Sequence, residues 1–509
     1  MNFIDKVISY INPQAALKRE FFRSCLSSVE PGSNAGSMSK PAFKLWTPEA
    51  RTADGDTLVN LSLIRSRSRD LIRNNPVAKG VVDTIISGVL GSGLRMISAV
   101  NGEVLGLTPE QVTEVDGKIE REFSLWAESH YCDIERSMDF YGLQKMCLYQ
   151  QLEAGDVFSI LTSRESQTPY QFTLNILEAE QCATPQKYAY SDNLKGGVKK
   201  DSYGSPVSYF FLKGRRLSTP SLLNENYTVM QYANEYAEVP VWNKAGFKQV
   251  VHLFEKTRPG QSRGVPLLAP VMEQLKQLER YAGAELMAAV ISGMFTVFVH
   301  DDELRDMPVY GRQTAANKTN DGELALGSGT IVQLKGGKRI ETVNPTRPNS
   351  QFQPFFEAII KQISMGLNLP FEIVVKHFTS SYSASQGAML EAWRYFRDKR
   401  ENFVRYFCAP VYERFFTEAV AKGRIEAPGF NTDPLKRKAW LSCEWIGPAR
   451  GMIDEVKEVS AAAERVALGI STLKIEAIRL MGQDWYKILP EIIRESEIIK
   501  SKGILEKKS

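Results

Sequence analysis

The feature that most constrains this chain is a pair of helical stretches separated by a strand-rich insert. From Leu267 to about Ser292, the residues Leu268, Val271, Leu275, Leu278, Tyr281 and Leu286 recur mostly at spacings of three and four, the apolar stripe of an amphipathic helix. Residues 294–344 are dense in Gly, Thr and Val and read as a compact strand-rich unit, after which Gln353 to Leu367 reads as a returning helix. Two helices with a β module between their ends would form a stalk with a tip. Helix, small β unit and returning helix is an unusual order, so the arrangement carries weight.

The remainder is mixed. Residues 1 to about 24 read as a short amphipathic helix interrupted at Pro13, and Cys25 to Ser39 as a linker of Ser, Gly, Pro and Asn. Asp56 to Leu90 reads as helical with a break at Asn74-Asn75-Pro76, because the residue before a proline avoids the helical region. Residues 108–155 read as helical again, started by Thr108 as N-cap and Pro109 in the first turn. Strands are expected at Val157–Leu161, Phe172–Leu177, Tyr209–Leu212 and Val250–Phe254. A loop rich in Ser, Thr and aromatics spans Asn368–Ser385. One long helix, Ala388–Lys422, is expected to bend at Pro410. The tail reads as three helices, Met452–Leu468, Ser471–Met481 and Trp485–Lys500.

Charge and motif content exclude much. The chain holds 63 basic and 59 acidic residues, a formal net charge of +4, whereas a protein that coats DNA through phosphate neutralisation has a clear basic excess. No G-x-x-x-x-G-K-[ST] loop occurs, since Gly336-Gly337-Lys338 lacks both the spacing and the hydroxyl, and there is no G-x-S-x-G elbow. His130 and Cys132 stand without a second ligand pair at zinc spacing, so neither metal nor cofactor is expected. The six cysteines form no C-x-x-C pair, which suits a reducing cytoplasm, and the start of the chain lacks the apolar run of a signal peptide. The most apolar run, Ala282–Val299, contains Glu285 and two glycines, so no membrane span is expected. Basic clusters stand at Arg65–Arg73, at Arg394, Arg397, Lys399, Arg400 and Arg405, and at Lys436–Lys438. The first could meet phosphates or a neighbouring subunit's acids, and basic residues interleaved with Trp393, Tyr395, Phe396, Phe403 and Phe407 can mark nucleic-acid binding. The plainer readings are a solvated helix face for the first, an aromatic core stripe for the second and surface for the third.

Four blocks carry a likeness to a known family. Arg69–Pro76 (RDLIRNNP), Arg258–Pro266 (RPGQSRGVP), Tyr382–Ser385 leading into Leu390–Trp393, and Trp445–Gly451 (WIGPARG) followed by Asp454, Lys457 and Glu458 occur in this order. Together they resemble the signature of lambda-family phage portal proteins. Gln386 and Glu455 depart from it, standing where family members usually carry arginine and proline.

The resemblance implies an α+β, portal-type subunit with a mixed α/β wing, a two-helix stem, a small β-rich clip and a helical C-terminal crown. Mapped onto this chain, residues 1–40 are an N-terminal arm, 41–262 the first part of the wing, 263–293 a stem helix and 294–345 the clip. Residues 346–367 are then the second stem helix, 368–386 a tunnel loop, 387–451 the rest of the wing and 452–509 the crown. It implies a non-enzymatic ring, generally a dodecamer, at one capsid vertex of the virion, assembled in the host cytoplasm. Implied partners are other copies of itself, sliding double-stranded DNA, the terminase large subunit, a head-completion or adaptor protein, and the major capsid and scaffolding proteins, with no membrane. Lys376, His377, Thr379, Ser380, Ser381 and Tyr382 are the expected DNA-facing residues. Arg305, Arg312, Lys318, Lys335, Lys338 and Arg339 are the expected docking surface of the clip. The competing reading is a DNA-processing enzyme, a nuclease or a terminase subunit; a scaffolding or capsid protein is a third.

Overall fold

The computed structural model describes Gln14, Lys18 and residues 45–213, 236–244, 246–294, 351–378, 381–451 and 454–502. The expected N-terminal helix and linker, and the whole strand-rich insert with its six proposed docking residues, lie outside these. By internal contacts the chain divides into Met1–Asp56 and Thr57–Ser509, and apart from the short helix Ala53–Thr57, which crosses that boundary, everything below concerns the second unit.

After α1 (Ala53–Thr57) come α2 (Leu61–Asn74) and α3 (Pro76–Val89), then β1 (Arg95–Ser98), α4 (Gly102–Leu105), α5 (Pro109–Ala127) and α6 (Phe140–Ala154). The boundary between α2 and α3 falls at the Asn-Asn-Pro block, as its chemistry dictates. Asn75 is extended, its side chain accepts from the amides of Val77 and Ala78 at 3.0 and 3.1 Å, and Pro76 opens the next helix without needing a hydrogen bond. The helix expected across 108–155 is in fact two. Asp133 accepts from Glu135 N, Ser137 N and the Ser137 hydroxyl at 2.8–3.0 Å, folding residues 128–139 into a side-chain-stapled turn before Asp139 caps α6.

Among the described residues there are three antiparallel sheets, and the four expected strands take part in two of them. β2 (Asp156–Ser163) is central between β3 (Phe172–Leu177) and β8 (Val250–Phe254). A second sheet orders β4 (Leu194–Lys195), β5 (Val198–Lys200), β6 (Pro206–Leu212) and β7 (Tyr236–Pro240). The third is a two-stranded ribbon in which β1 meets β9 (Cys443–Ile446), with Arg95 opposite Ile446 and Ser98 opposite Cys443.

The helical pair is present as α7 (Met272–Met294) and α8 (Phe352–Gly366), within a few residues of the expected bounds. They run antiparallel: Gly366 at the end of α8 lies so close to Val271, just before α7, that an added Cβ would approach its methyl to 2.6 Å. At the other end Tyr281 packs on Phe352 and Phe355, with ring centroids 5.5 and 4.8 Å apart. Leu275, Leu278, Ile360 and Ile363 are buried, but farther along α7 the side chains of Leu286, Met287 and Val290 are exposed.

Between α8 and the next long helix, part of the expected loop is helical. Residues Phe371–Val375 form one short helix, α9, and the long helix α10 starts at Tyr382 and runs to Phe403. Sequence reading placed its start later because the apolar periodicity begins only near Ala388, while the first turn, Tyr-Ser-Ala-Ser, is polar and exposed. The expected bend at Pro410 takes the form of a π-helical turn, Val404–Cys408, after which α11 (Ala409–Ala421) resumes. Proline lacks an N–H, and an inserted wide turn re-registers the backbone just ahead of it. Lys436–Lys438 lie on α12 (Pro434–Trp440), where Arg437 pairs with Glu413 at 2.9 Å. The chain closes with α13 (Glu455–Ala467), α14 (Leu473–Met481) and α15 (Trp485–Lys502).

One aromatic core joins these elements. Trp126 stacks on Phe172 at 5.1 Å and donates to its carbonyl at 2.8 Å, while Phe123 meets Phe140, Tyr412, Phe415 and Trp445 edge-on. Of the aromatics expected to be core on the long helix, Phe396, Phe403 and Phe407 are buried, while Trp393 and Tyr395 are half-buried.

Candidate functional site

The segment from Leu367 to Tyr382 was expected to face DNA, and its geometry is set by two left-handed residues. Asn368 (φ +56) turns the chain after α8, and Pro370 opens α9. Lys376 (φ +56) ends α9, its amide donating to Glu372 O, with His377 N bonded to the same carbonyl at 3.2 Å. Lys361 lies 5.1 Å over the Phe371 ring and steadies the base of the turn. Lys376 and His377 are thereby consecutive and exposed at the tip, followed by a half-exposed Phe378. Thr379 and Ser380 lie outside the described residues. Ser381 is the residue before α10, and Tyr382 is not in the loop at all: it sits in the first helical turn, with the Lys457 ammonium 5.7 Å over its ring. Lys457 also pairs with Asp454 at 3.0 Å. The six expected residues therefore split, with Lys376 and His377 at the tip and Tyr382 tied to the C-terminal helices.

The RPGQSRGVP block leads to a centre that sequence reading missed. Arg263 is 2% exposed, and each of its five N–H groups has an acceptor. Nε and Nη2 meet the two Asp156 oxygens at 2.6 and 3.1 Å; the others meet the carbonyls of Ala179, Cys182 and Gly196 at 2.5–2.7 Å. Asp156 further accepts from Arg65 at 2.8 Å and from Gly264 N at 3.1 Å, and His252 Nε2 lies 3.3 Å away. Burial on its own would raise the Asp156 carboxyl, but the Arg263 charge, the His252 contact and Arg65 together hold it far below the usual carboxylate range. Burial lowers His252, and the Asp156 contact offsets that only in part, so the imidazole is held neutral near pH 7. Gln261 shapes the approach: its carbonyl oxygen accepts from Thr257 N at 2.9 Å and its amide donates to Arg263 O at 2.8 Å. Gly264 passes so close to the backbone that a Cβ there would sit 1.9 Å from Gly155 O. This is a structural clamp joining α2, β2, β8 and the approach to α7, not a reactive site.

The basic clusters resolve in the same way. Arg65 is buried on Asp156, and Arg69 pairs with Glu153 and Glu180 at 3.3 and 2.7 Å, leaving Arg67 and Arg73 exposed. On α10, Lys399 pairs with Glu255, and Arg400 donates to the carbonyls of Gly88, Val89 and Pro448, closing the C-terminus of α3 against the WIGP block. Burial draws the Arg400 guanidinium down to about 10. The sequence held no sign of these roles, because an arginine on a buried carboxylate and one in solvent look alike in a charge pattern.

Among the described residues no group of three or more His, Cys, Asp or Glu is placed to hold a metal, and no helix is long and apolar enough to cross a membrane.

Residues 39–400 match the family described as phage portal protein, lambda family. The chain belongs to the lambda family of phage portal proteins. It is 23% identical over 485 residues to Portal protein B of Escherichia phage lambda, covering 91% of this chain and 88% of that one. It is also 23% identical over 481 residues to the portal protein of Escherichia phage N15, covering 90% and 88%. Among solved structures it is similar to a chain from the neck of a native GTA particle, with 12% identity and a TM-score of 0.38 over 82% of this chain and 94% of that one. A chain from the virion of a native gene transfer agent particle gives 12% identity and a TM-score of 0.39 over 85% and 94%.

Proposed function

We propose that this portal protein assembles with copies of itself into a ring at one capsid vertex. The ring is a conduit for double-stranded DNA during packaging and ejection, and a docking platform for the terminase large subunit and for a head-completion or adaptor protein. The observation that carries the reading is the family match, which spans most of the chain and includes three of the four blocks singled out in the sequence. Two of those blocks do the fold's structural work: Asn75 caps α3, and Arg263 with Gly264 clamps the approach to α7. Support for self-assembly comes from the exposed apolar side chains at the far part of α7, Leu286 at 68% and Met287 at 60%, which a neighbouring copy would cover. The family assignment favours this structural role over the DNA-processing enzyme.

Within the ring, α7 and α8 serve as the stem, residues 294–345 as the clip and 452–509 as the crown. A dodecamer at the virion vertex, assembled in the host cytoplasm, is the expected state, with the major capsid and scaffolding proteins as neighbours. Lys376 and His377 at the tip after α9 are the DNA-facing residues of the described part, and Arg305, Arg312, Lys318, Lys335, Lys338 and Arg339 the docking surface of the clip. Electron microscopy of the purified full chain, with class averages counted for rotational symmetry, tests the reading. Rings with an open channel are expected; monomers or compact dimers at every concentration would overturn it.

A further inference from the structure

A groove of about 540 Å³ lies where α10 meets the segment after β9 and α14. Arg394, Arg397, Arg400, Arg450 and Arg479 line it, and no carboxylate does. The larger cleft beside β8, about 680 Å³, is of the ordinary kind, with Lys248, Lys256 and Lys399 balanced by Glu255 and Asp398 on its walls. Three of the groove's arginines have acids at their outer side: Arg394 with Glu391 at 3.1 Å, Arg397 with Glu401 at 3.8 Å and Arg450 with Glu458 at 3.4 Å. The first two pairs are mostly solvent-exposed and hold their guanidiniums weakly. Trp393 and Trp445 also line it, and the Arg400 guanidinium lies 4.9 Å over the Trp393 ring. Planar guanidiniums beside aromatic faces are suited to bidentate recognition of a carboxylate or a phosphate.

The same unit carries a matching acidic corner. Between Ser98 and Gly117 there is no Lys, Arg or His, but there are four acids. Asp116 is used internally, accepting from Val100 N at 3.1 Å, while Glu103, Glu110 and Glu114 are exposed. Glu110 and Glu114 are one turn apart on α5 and so project together, with the exposed Lys118 one turn farther along the same face.

The β1–β9 ribbon relates the two surfaces. At the Arg95–Ile446 end the chain leaves β9 directly into Gly447–Arg450, which line the groove. At the Ser98–Cys443 end it leaves β1 towards the acidic corner, held by Ala99 N on Ser442 O at 3.1 Å and Asn101 N on Ala439 O at 3.2 Å. The Gly447–Arg450 wall of the groove and the acidic corner thus follow from opposite ends of one ribbon of four residue pairs. A contact between two different surfaces of identical copies is head-to-tail, and repeated with a closing rotation it generates a ring.

We propose that the arginine groove receives the Glu110–Glu114 corner of a second copy of this chain, making a head-to-tail contact of the ring. The choice of carboxylate over DNA phosphate follows from what a conduit requires. Arg400 is held by the carbonyls of Gly88, Val89 and Pro448 and Arg450 by Glu458, but Arg394, Arg397 and Arg479 on every copy would still be a phosphate well repeated around the channel, and a duplex held there would not slide. A groove of this volume also admits a pair of side chains and not a duplex.

The proposal rests on the ring reading, and the test separates the two. Full-length Arg394→Glu/Arg479→Glu, full-length Glu110→Arg/Glu114→Arg, and the chain carrying all four changes are compared with wild type by sedimentation velocity and negative-stain class averages. Thermal melts confirm that all four proteins are folded. Each double variant is expected to need on the order of tenfold more protein for half-assembly, and the four-fold variant to recover, because the reversed charges again complement each other. Either double variant assembling like wild type, or a four-fold variant no better than its parents, overturns the proposal. So does an arginine variant that assembles normally but loses affinity for a short DNA duplex, which would make the groove a phosphate site. Wild-type protein that never forms rings removes the ring reading itself, and the groove contact with it.

Discussion

Arg263 sits where an arginine is most costly to bury and most costly to remove. With every N–H matched to an oxygen and Asp156 shared with Arg65, the cluster is closed, and the deletion of any one member leaves charge or carbonyls stranded in the interior. Arg263→Met is expected to destabilise the chain by about 3–5 kcal/mol, seen as a lowered urea midpoint, whereas Arg67→Met, two residues along α2 from Arg65 but in solvent, should stay within about 0.5 kcal/mol. Equal losses from the two would refute the assignment. His252 adds a pH signature. Its folded-state pKa lies below its unfolded one, so below about pH 6.5 the unfolded chain takes up a proton that the folded chain refuses, and stability falls as pH falls through that window. The slope is at most about 1.4 kcal/mol per pH unit for one proton. His252→Gln should flatten the urea midpoint between about pH 6.5 and 5.5. The Asp156 contribution, from a depressed carboxyl, is present throughout that window and disappears only at far lower pH. An unchanged slope in the variant would show that His252 does not titrate in this way.

At the scale of elements, the α2–α3 junction shows what sequence chemistry decides locally. Asn75 is 4% exposed, caps two amides of α3 and reaches Leu275 O of α7 at 3.5 Å, so one side chain fixes both a helix start and the seat of the next long helix. Asn75→Ala is expected to lose about 1–2 kcal/mol, the upper range of a cap, while Asn74→Ala, whose amide only meets Asp70 on the surface, should be near neutral. Chemical denaturation of the two single variants decides it; parity between them would rule the cap out. Helix starts of this kind, the strand runs and the α7–α8 pair were legible because each depends on a local pattern of period or capping. What was not legible depends on partners far away in sequence. Residues 128–139 break a helix through an Asp133 staple that looks like any polar stretch, and Tyr382 begins a helix whose apolar stripe starts two turns later. The Arg263 centre joins residues 107 positions apart, and no spacing rule reaches that far. Of the expected DNA-facing set, the pattern found the exposed tip at Lys376 and His377 but could not see that Tyr382 turns towards Lys457.

For the whole molecule, the near-balance of 63 basic and 59 acidic residues suits the proposed conduit, which must not grip the DNA that passes through it. Affinity for duplex DNA falls with salt in proportion to the number of phosphates neutralised, with a slope of roughly 0.9 per contact. A ring that lets DNA slide should make few such contacts per copy. In the described part of the proposed DNA-facing segment, Lys376 is the one permanent cation, so a shallow dependence of duplex binding on salt is expected for assembled rings. Lys376→Gln should make it shallower still, by about one contact's worth of slope for each copy that touches a phosphate. Ring symmetry in class averages should be unchanged, because Lys376 lies at an exposed turn whose backbone is held by the Glu372 carbonyl and not by the lysine side chain. In particles assembled with the variant, packaged DNA should be retained less well. A steep salt slope unaffected by Lys376→Gln would place the DNA contacts elsewhere, and a loss of rings in that variant would make the turn an assembly element instead of a channel wall.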